Sequence, residues 1–155
     1  MRIAMGTDHG GFHLKDRLIR RLKAAGHQVR DLGAFSQEPC DYPRIGAEVA
    51  RAVSRRQVQR GVLLCKSGAG MAMVANRFPR VRAAVCHSPA SARHARQHND
   101  ANLLVLGAEG MNPSRAQAIL TAWLKTRFSG GRHARRLRQI RRIEEEIING
   151  SCSNI

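Results

Sequence analysis

The chain has few aromatic residues, few acidic residues and no long apolar run. Aromatic residues make up 4% of its 155 residues, and they mark no stacking platform for bases, which disfavours nucleic-acid binding. No apolar run approaches the roughly 20 residues that cross a bilayer. The opening MRIAMGTDHGG has neither the apolar centre nor the cleavage site of a signal peptide. We therefore expect a soluble, cytoplasmic protein without membrane contacts.

Acidic residues are scarce beside the basic ones. The sequence has 11 Asp and Glu against 27 Lys and Arg, which gives a formal net charge of +16. Such a surface attracts anions, among them phosphates, nucleic acid and acidic lipid heads, and charge alone does not choose among these. A basic protein that uses its charge on nucleic acid is therefore an alternative to an enzyme, and a steep salt dependence of binding would favour it.

Paired cysteines and a metal-binding motif are also lacking. The four cysteines, Cys40, Cys65, Cys86 and Cys152, lie far apart without a C-x-x-C pair, which disfavours a structural zinc site and a disulfide framework. We expect reduced thiols. His94 and His98 have the four-residue spacing of zinc ligands on a helix, but no H-E-x-x-H pattern accompanies them. We predict no metal.

The sequence has the pattern of a single α/β domain. With 43% hydrophobic residues, a chain of this length can bury a core. Short β-like runs alternate with helical patterns, which predicts a parallel sheet of about five strands covered by helices on both faces. The predicted strands are RIAMG, HQVRDLG, GVLLC, AAVC and NLLVLG, and the predicted helices cover residues 12–26, 44–56, 89–98, 113–128 and 132–148, with another from about Met71. Residues 1–148 form the predicted domain and residues 149–155 a loose tail.

The loops after the strands carry the glycine and polar residues. GTDHGG at residues 6–11 and CKSGAG at residues 65–70 are rich in glycine. Ligands of open parallel sheets bind beyond the carboxyl ends of the strands, so these loops are the candidate site. Neither loop fits the dinucleotide fingerprint or the P-loop, which disfavours nucleotide binding. The SGAG segment either holds an anion with its backbone N–H groups or only turns the chain from strand to helix.

Cys65 ends an apolar strand and faces this glycine loop. Buried cysteines commonly act as small core residues. Lys66 beside the thiol and a helix N-terminus behind it are instead the surroundings in which thiols react as thiolates. Both interpretations stay open at this point, and so does a thiol redox role, which would need a resolving cysteine near Cys65.

The last predicted helix is rich in arginine. Its arginines spread around much of the helix circumference, so most of them are predicted to form a solvated face, and one or two could reach a phosphate. They are Arg132, Arg135, Arg136, Arg138, Arg141 and Arg142.

Motifs along the whole chain resemble the ribose/galactose isomerase family, and within it the type B ribose-5-phosphate isomerases. They are GTDHGGFHLK, DYP, the C-x-S-G-x-G loop, ANRFPRVRAAVC, SARHARQHNDANLLVLG and GGRHARRLRQI, in the family's order over residues 2–145. The resemblance implies a Rossmann-like three-layer α/β/α sandwich that works as a homodimer or a dimer of dimers. It also implies active sites shared between subunits, a phosphorylated sugar as substrate, and no metal or cofactor.

The resemblance further implies an aldose–ketose isomerase that interconverts ribose 5-phosphate and ribulose 5-phosphate through an enediolate. On the matching positions, Cys65 is the base that moves the proton and His98 opens the sugar ring. Backbone N–H groups of the glycine loop and the Ser67 hydroxyl stabilise the enediolate. The implied substrate-binding residues are Asp8, His9, Tyr42, Asn99, Arg132 and Arg136, with the loop residues Lys66, Gly68, Ala69 and Gly70.

Two positions depart from the family's pattern. Lys66 follows the cysteine where the family usually has glycine, and Glu109 stands where an arginine usually contacts the phosphate. One hypothesis is that both face the same cleft, where Lys66 replaces the missing positive charge and Glu109 holds the lysine or contacts a sugar hydroxyl. The alternative is that both point into solvent. An isomerase of another sugar phosphate, such as a hexose 6-phosphate, and an inactive relative that binds nucleic acid therefore stay open as alternatives.

Overall fold

The structure, a computed structural model, describes residues 1–150 of the chain. Strands and helices alternate along it, as the sequence pattern predicts. In chain order they are β1 (Arg2–Thr7), a 3-10 turn (His9–Gly11), α1 (Phe12–Ala24), β2 (Gln28–Asp31), α2 (Tyr42–Ser54), β3 (Arg60–Cys65), α3 (Ala69–Ala75), β4 (Ala83–Val85), α4 (Pro89–Asn99), β5 (Leu103–Gly107), α5 (Pro113–Lys125) and α6 (Gly131–Ile148). Residues 151–155, which include Cys152 and most of the predicted tail, lie outside the described residues.

The five strands form one parallel sheet in the order β2-β1-β3-β5-β4. The central strands β1, β3 and β5 consist mostly of fully buried residues, as expected for a sheet that is covered on both faces. The predicted α/β fold with a parallel sheet of about five strands is therefore confirmed.

Side chains of each central strand alternate between two apolar layers. Val62 and Leu64 of β3 pack with α1, α4 and α5 on one face of the sheet. Leu63 and Cys65 point to the other face and pack with α2 and α3. This alternation follows from the two-residue period of a strand. It places the Cys65 side chain on the α2 and α3 side of a three-layer sandwich.

Some helix boundaries differ from the sequence prediction for local reasons. Helix α2 starts two residues early, at Tyr42, because Pro43 fits the first turn, where its missing N–H is not needed. Helix α5 ends at Lys125 and not at residue 128, because Thr126 adopts an extended conformation and its hydroxyl donates to the Ala122 carbonyl at 2.6 Å. Helix α3 has only seven residues.

Helix α6 lies outside both apolar layers. It buries none of its residues and leaves the side chains of Ile140, Ile143, Ile147 and Ile148 about half exposed or more. Its isoleucines are therefore only partly covered by other residues of the range 1–150. None of the helices of that region is both long and apolar enough to cross a membrane.

An ion pair between a buried lysine and a partly exposed aspartate fixes the segment that follows β2. Lys15 of α1 is 1% exposed, and its Nζ donates to both carboxylate oxygens of Asp31, at 2.9 and 2.8 Å, and to the carbonyl of Ala34 at 2.7 Å. The Ala34 N–H in turn donates to the carbonyl of Thr7, at the end of β1. The pair therefore ties α1, β2 and the end of β1 together.

We expect Asp31→Ala to lower the free energy of unfolding by about 2–3 kcal/mol, because the Lys15 ammonium would stay buried without its carboxylate. Urea unfolding at a fixed protein concentration measures the change. Glu38→Ala removes an exposed carboxylate from the loop after β2 and serves as the control, with an expected change below about 0.5 kcal/mol. Equal losses in the two variants would contradict a stabilising role for the pair.

Candidate active site

The carboxyl ends of β1, β3 and β5 meet at one edge of the sheet, here named the thiol edge. The register pairs Thr7 with Leu64 and Cys65 with Gly107, so the residues that follow these strands lie side by side. The predicted site residues at the thiol edge are Asp8, His9, Cys65, Lys66, Ser67, Gly68, Ala69, Gly70 and Glu109, with Tyr42 packed against Gly70.

The Cys65 thiol is buried and faces its own loop. The residue is 5% exposed, and its Sγ accepts a hydrogen bond from the Gly68 N–H at 3.1 Å. Gly68 has φ of +86°, a left-handed conformation that glycine adopts without strain and that bends the chain back toward the sulfur. The sulfur is therefore fixed as a hydrogen-bond acceptor, as an atom that takes up a proton must be.

Glycines in and around the loop after Cys65 allow it to pack closely against its neighbours. A Cβ atom on Gly107 would lie 2.8 Å from the carbonyl oxygen of Ser67, and one on Gly10 would lie 3.4 Å from the backbone nitrogen of Lys66. A Cβ atom on Gly70 would lie 2.6 to 2.9 Å from atoms of the Tyr42 phenol group. The glycines of three different segments therefore allow the loop, the end of β5, the 3-10 turn and Tyr42 to come into contact.

Asp8 and His9 lie at the same edge. Asp8 is 7% exposed, and its Oδ1 accepts a hydrogen bond from the Gly10 N–H at 2.9 Å, which caps the 3-10 turn. The exposed His9 accepts at Nδ1 from the N–H of Cys40 at 3.2 Å. This bond makes Nδ1 the acceptor and leaves the proton of a neutral ring on Nε2.

The two positions that depart from the family's pattern contact each other. Lys66 Nζ lies 3.3 Å from Glu109 Oε1, and the Glu109 N–H donates to the Lys66 carbonyl at 3.0 Å. This contact is the one that the first hypothesis requires, and the roles of Lys66 and Glu109 toward a substrate stay predictions. The side chains are 75% and 66% exposed, so the ion pair itself contributes little stability.

The remaining predicted site residues lie at the opposite edge of the sheet, here named the amino edge. Helix α4 connects the parallel neighbours β4 and β5, so its last residues, His98 and Asn99, lie where the strands begin. Arg82, just before β4, donates from Nε to the Asn99 carbonyl at 3.1 Å. The predicted phosphate ligands Arg132 and Arg136 lie on the first turns of α6, beside the end of α4.

Three histidine rings stack at the amino edge. The His98 ring lies 4.3 Å from that of His133 on α6 and 5.3 Å from that of His94, with near-parallel planes. Partial burial, followed by the charges of His98, Arg132 and Arg136, lowers the pKa of His133. The four-residue spacing of His94 and His98 thus allows their rings to stack. No group of three or more potential metal ligands comes together within residues 1–150.

Within one chain, the Cys65 thiol and His98, the residue predicted to open the sugar ring, therefore do not meet. Cys65 ends β3, whereas His98 lies beside the beginnings of β4 and β5. Sequence reasoning also missed His133, although it directly follows Arg132, and it missed Gly107, which ends an apolar strand. Neither residue has a local pattern that reveals its contact, because both contacts join segments that are distant along the chain.

Comparison with known proteins gives the family. A model described as Ribose/Galactose Isomerase matches residues 3–140. This chain belongs to the ribose/galactose isomerase family. Ribose-5-phosphate isomerase B of Escherichia coli is 42% identical over 144 residues, which are 93% of this chain and 97% of that protein. The predicted family and the predicted enzyme class, an isomerase, are both confirmed.

Solved structures of this isomerase family also match. Ribose-5-phosphate isomerase B of Clostridium thermocellum superposes with a TM-score of 0.93 at 43% identity and covers 95% of this chain and 99% of its own. The Mycoplasma genitalium enzyme with bound ribulose-5-phosphate has a TM-score of 0.90 at 37% identity and covers 94% of this chain and 97% of its own. The predicted three-layer fold is therefore that of the isomerase family.

We expect Gly107→Ala to lower isomerase turnover roughly 10- to 100-fold, because the new methyl group would displace the loop at Ser67. Steady-state kinetics and thermal melting measure turnover and folding separately. Gly61→Ala is the matched control: it crowds a buried position, 3.0 Å from side chains of Leu103 and Val53, but at the amino end of β3. Similar turnover losses in both variants would indicate a general packing defect.

Proposed function

We propose that the chain interconverts ribose 5-phosphate and ribulose 5-phosphate, with Cys65 as the base, at active sites assembled from two copies of the chain. The family supports the reaction class, and the relative with bound ribulose-5-phosphate supports the substrate. The observation that carries the proposal is the Cys65 sulfur, which is held at a strand end as a hydrogen-bond acceptor beside a glycine loop.

The reaction needs one base and a group of donors. After the sugar ring opens, the base removes the proton from C2, negative charge develops on the carbonyl oxygen, and the proton returns at C1 of the enediolate. Cys65 is the proposed base for both transfers. Backbone N–H groups of residues 66–70 are the proposed donors to the oxyanion, each worth about 3 kcal/mol in the transition state.

Ser67 fits the role of an additional donor. Its side chain is exposed at the loop, and its Oγ accepts from the Ala69 N–H at 3.3 Å. Because that contact uses the oxygen as an acceptor, the hydroxyl proton can be donated to the substrate.

The other thiol-edge residues are suited to the sugar hydroxyls. The buried Asp8 carboxylate accepts from Gly10 with one oxygen, and a carboxylate can accept further hydrogen bonds. His9 and Tyr42 are exposed beside it and bring a ring nitrogen and a phenol to the same edge. We assign these three residues to substrate binding.

The phosphate and ring-opening groups are proposed to come from a second copy. His98, Asn99, Arg132 and Arg136 are exposed and lie together at the amino edge, away from the thiol of their own chain. The isoleucines of α6 supply an apolar surface of the kind that a partner covers. In a two-fold symmetric pair, the amino-edge residues of each copy would complete the thiol edge of the other.

One observation favours a second candidate substrate. Glu109 contacts Lys66 at the thiol edge, and its carboxylate repels a phosphate group if one lies near it. A sugar phosphate whose different chain length places the phosphate farther from Glu109 is therefore the second candidate, and turnover on a panel of pentose and hexose phosphates distinguishes the two.

We expect Cys65→Ala to retain the fold and to lower turnover of ribose 5-phosphate roughly 10²- to 10⁴-fold, because the base is lost while the loop donors remain. Turnover is measured by a coupled assay and folding by circular dichroism. Cys86→Ala is the control, since it removes a thiol that is 1% exposed and lies in the other apolar layer. Near-normal turnover in Cys65→Ala would refute the assignment of the base.

Alkylation of the enzyme with iodoacetamide at pH 8 should inactivate it through Cys65, and bound sugar phosphate should protect it. Burial raises the pKa of Cys86 to about 11, so this thiol stays protonated and unlabelled at that pH. The more accessible Cys40 is removed by Cys40→Ser, which should leave the inactivation rate unchanged. Peptide mapping identifies the labelled residue, and inactivation that follows labelling of Cys152 would refute the prediction.

Mixing Cys65→Ala with His98→Asn tests the shared active site. Each heterodimer would hold one site with both substitutions and one site with neither, so a random mixture should recover about a quarter of the wild-type activity. Each variant alone should be nearly inactive. The subunits are exchanged by refolding from denaturant, and refolded wild type is the control. No recovery in the mixture would show that both groups act within one chain.

A further inference from the structure

An open cavity, distinct from the candidate active site and here named the second cavity, lies at the amino edge. It lies between the beginnings of the strands and α6. Its volume is about 680 Å³, and it is lined by the segments before β3, β4 and β5 and by one face of α6. Its charged lining residues are Arg56, Arg60, Arg80, Arg82, Arg138 and Arg141, with the carboxylates of Asp100 and Glu144. The cavity is therefore lined by six guanidinium groups but by only two carboxylates.

The backbone is strained at this cavity. Within residues 1–150, three residues other than glycine have a left-handed φ: Arg56 at 57°, Arg80 at 66° and Asp100 at 43°. All three line the cavity. Arg56 directly follows the C-cap of α2, a position at which glycine is strongly favoured. Such strain is concentrated at functional sites, where a side chain is kept for what it contacts.

The two carboxylates of the cavity already have partners. Asp100 binds Arg82 at 2.8 Å and the buried Arg96 at 2.7 Å. The Glu144 carboxylate accepts two hydrogen bonds from the backbone N–H of Arg80, at 2.9 and 3.0 Å. The two ion pairs of Asp100 thus account for an aspartate with a left-handed φ at this position. The ion pairs within residues 1–150 do not account for the left-handed φ of Arg56 and Arg80.

Several guanidinium groups of the cavity remain available. None of the ion pairs within residues 1–150 involves the side chains of Arg56, Arg80 or Arg138. Burial, with the charges of Arg96 and Arg82 against that of Asp100, lowers the pKa of Arg60. Burial is the main cause of this shift, and among the cavity residues only Arg82 adds to it by charge repulsion. An anion bound beside Arg60 and Arg82 would offset that repulsion.

The cavity is separate from the proposed catalytic residues. Successive residues of a helix are 100° apart, so Arg141, nine positions after Arg132, projects from the opposite side of α6. The α6 residues that line the cavity are Ala134, Leu137, Arg138, Ile140, Arg141 and Glu144. Arg132 and Arg136 are not among its lining residues. Cys65 lies at the far edge of the sheet.

We propose that this cavity is a second anion-binding site, built for a small molecule that carries two or more phosphate groups. A volume of about 680 Å³ suits a small ligand. Guanidinium groups bind phosphate oxygens in pairs, and several of them around one cavity match a polyphosphate better than a single phosphate. The inference does not depend on the sugar that the active site isomerises.

The variant Arg56→Gly/Arg80→Gly tests the site without endangering the fold. Glycine adopts a left-handed φ without strain, so we expect this double variant to melt at the same temperature or higher. Isothermal titration calorimetry with inorganic tripolyphosphate should show a Kd at least roughly tenfold above that of the wild type, the effect of losing at least one charge-assisted contact. Turnover of ribose 5-phosphate without tripolyphosphate should be unchanged.

Arg55→Ala/Arg135→Ala is the charge-matched control. It removes two exposed arginines that do not line the cavity, and tripolyphosphate should bind it as it binds the wild type. Equal weakening in the two double variants would overturn the proposal in favour of diffuse attraction to a basic surface. Displacement of tripolyphosphate by ribose 5-phosphate would overturn it by placing the anion in the active site. Tighter binding of a single-stranded oligonucleotide through Arg56 and Arg80 would overturn it in favour of nucleic acid.

Discussion

The close contact of the Cys65 loop with the ends of its neighbouring strands is the constraint on which the candidate site depends. Gly107 lies so near the Ser67 carbonyl that a Cβ atom would not fit, and a Cβ atom on Gly10 would be in van der Waals contact with the Lys66 backbone. The loop can therefore bend back far enough for the Gly68 N–H to reach the Cys65 sulfur. A core cysteine needs no such arrangement. The functional interpretation of the thiol therefore rests on this backbone packing.

The direction of the chain explains why the site is divided. In a parallel sheet, each connecting helix runs back from the carboxyl ends of the strands to their amino ends. Residues at the end of a helix, such as His98 and Asn99, are therefore carried away from residues at the end of a strand, such as Cys65. The topology keeps the proposed proton-transfer group and the proposed phosphate-binding groups apart within one chain. A second copy is the proposed means of bringing them together, and the unburied isoleucines of α6 are consistent with a partner.

The scarcity of acidic residues shapes the amino edge. Asp100 serves Arg82 and Arg96 together, because few other carboxylates are near. Four arginines of α6 lie on two sides of the helix: Arg132 and Arg136 toward the proposed active site, and Arg138 and Arg141 toward the second cavity. Arg141 is paired with Glu145. One helix thus supplies positive charge to two separate places. The net charge of +16 does not predict this division, because it carries no information on the positions of the charged side chains.

The sequence by itself determined the parallel sheet, the family and the strand ends that carry the thiol and the glycine loop. These features depend on local periodicity and on motifs of a few residues, which the order of residues contains directly. Only the tertiary structure decided that His98 and Cys65 lie at opposite edges, that Lys66 contacts Glu109, and that His133 stacks on His98. It also decided that Arg56, Arg80 and Arg138 line one cavity. These relations join residues that are tens of positions apart, and the order of the strands in the sheet and the packing of α6 bring them together.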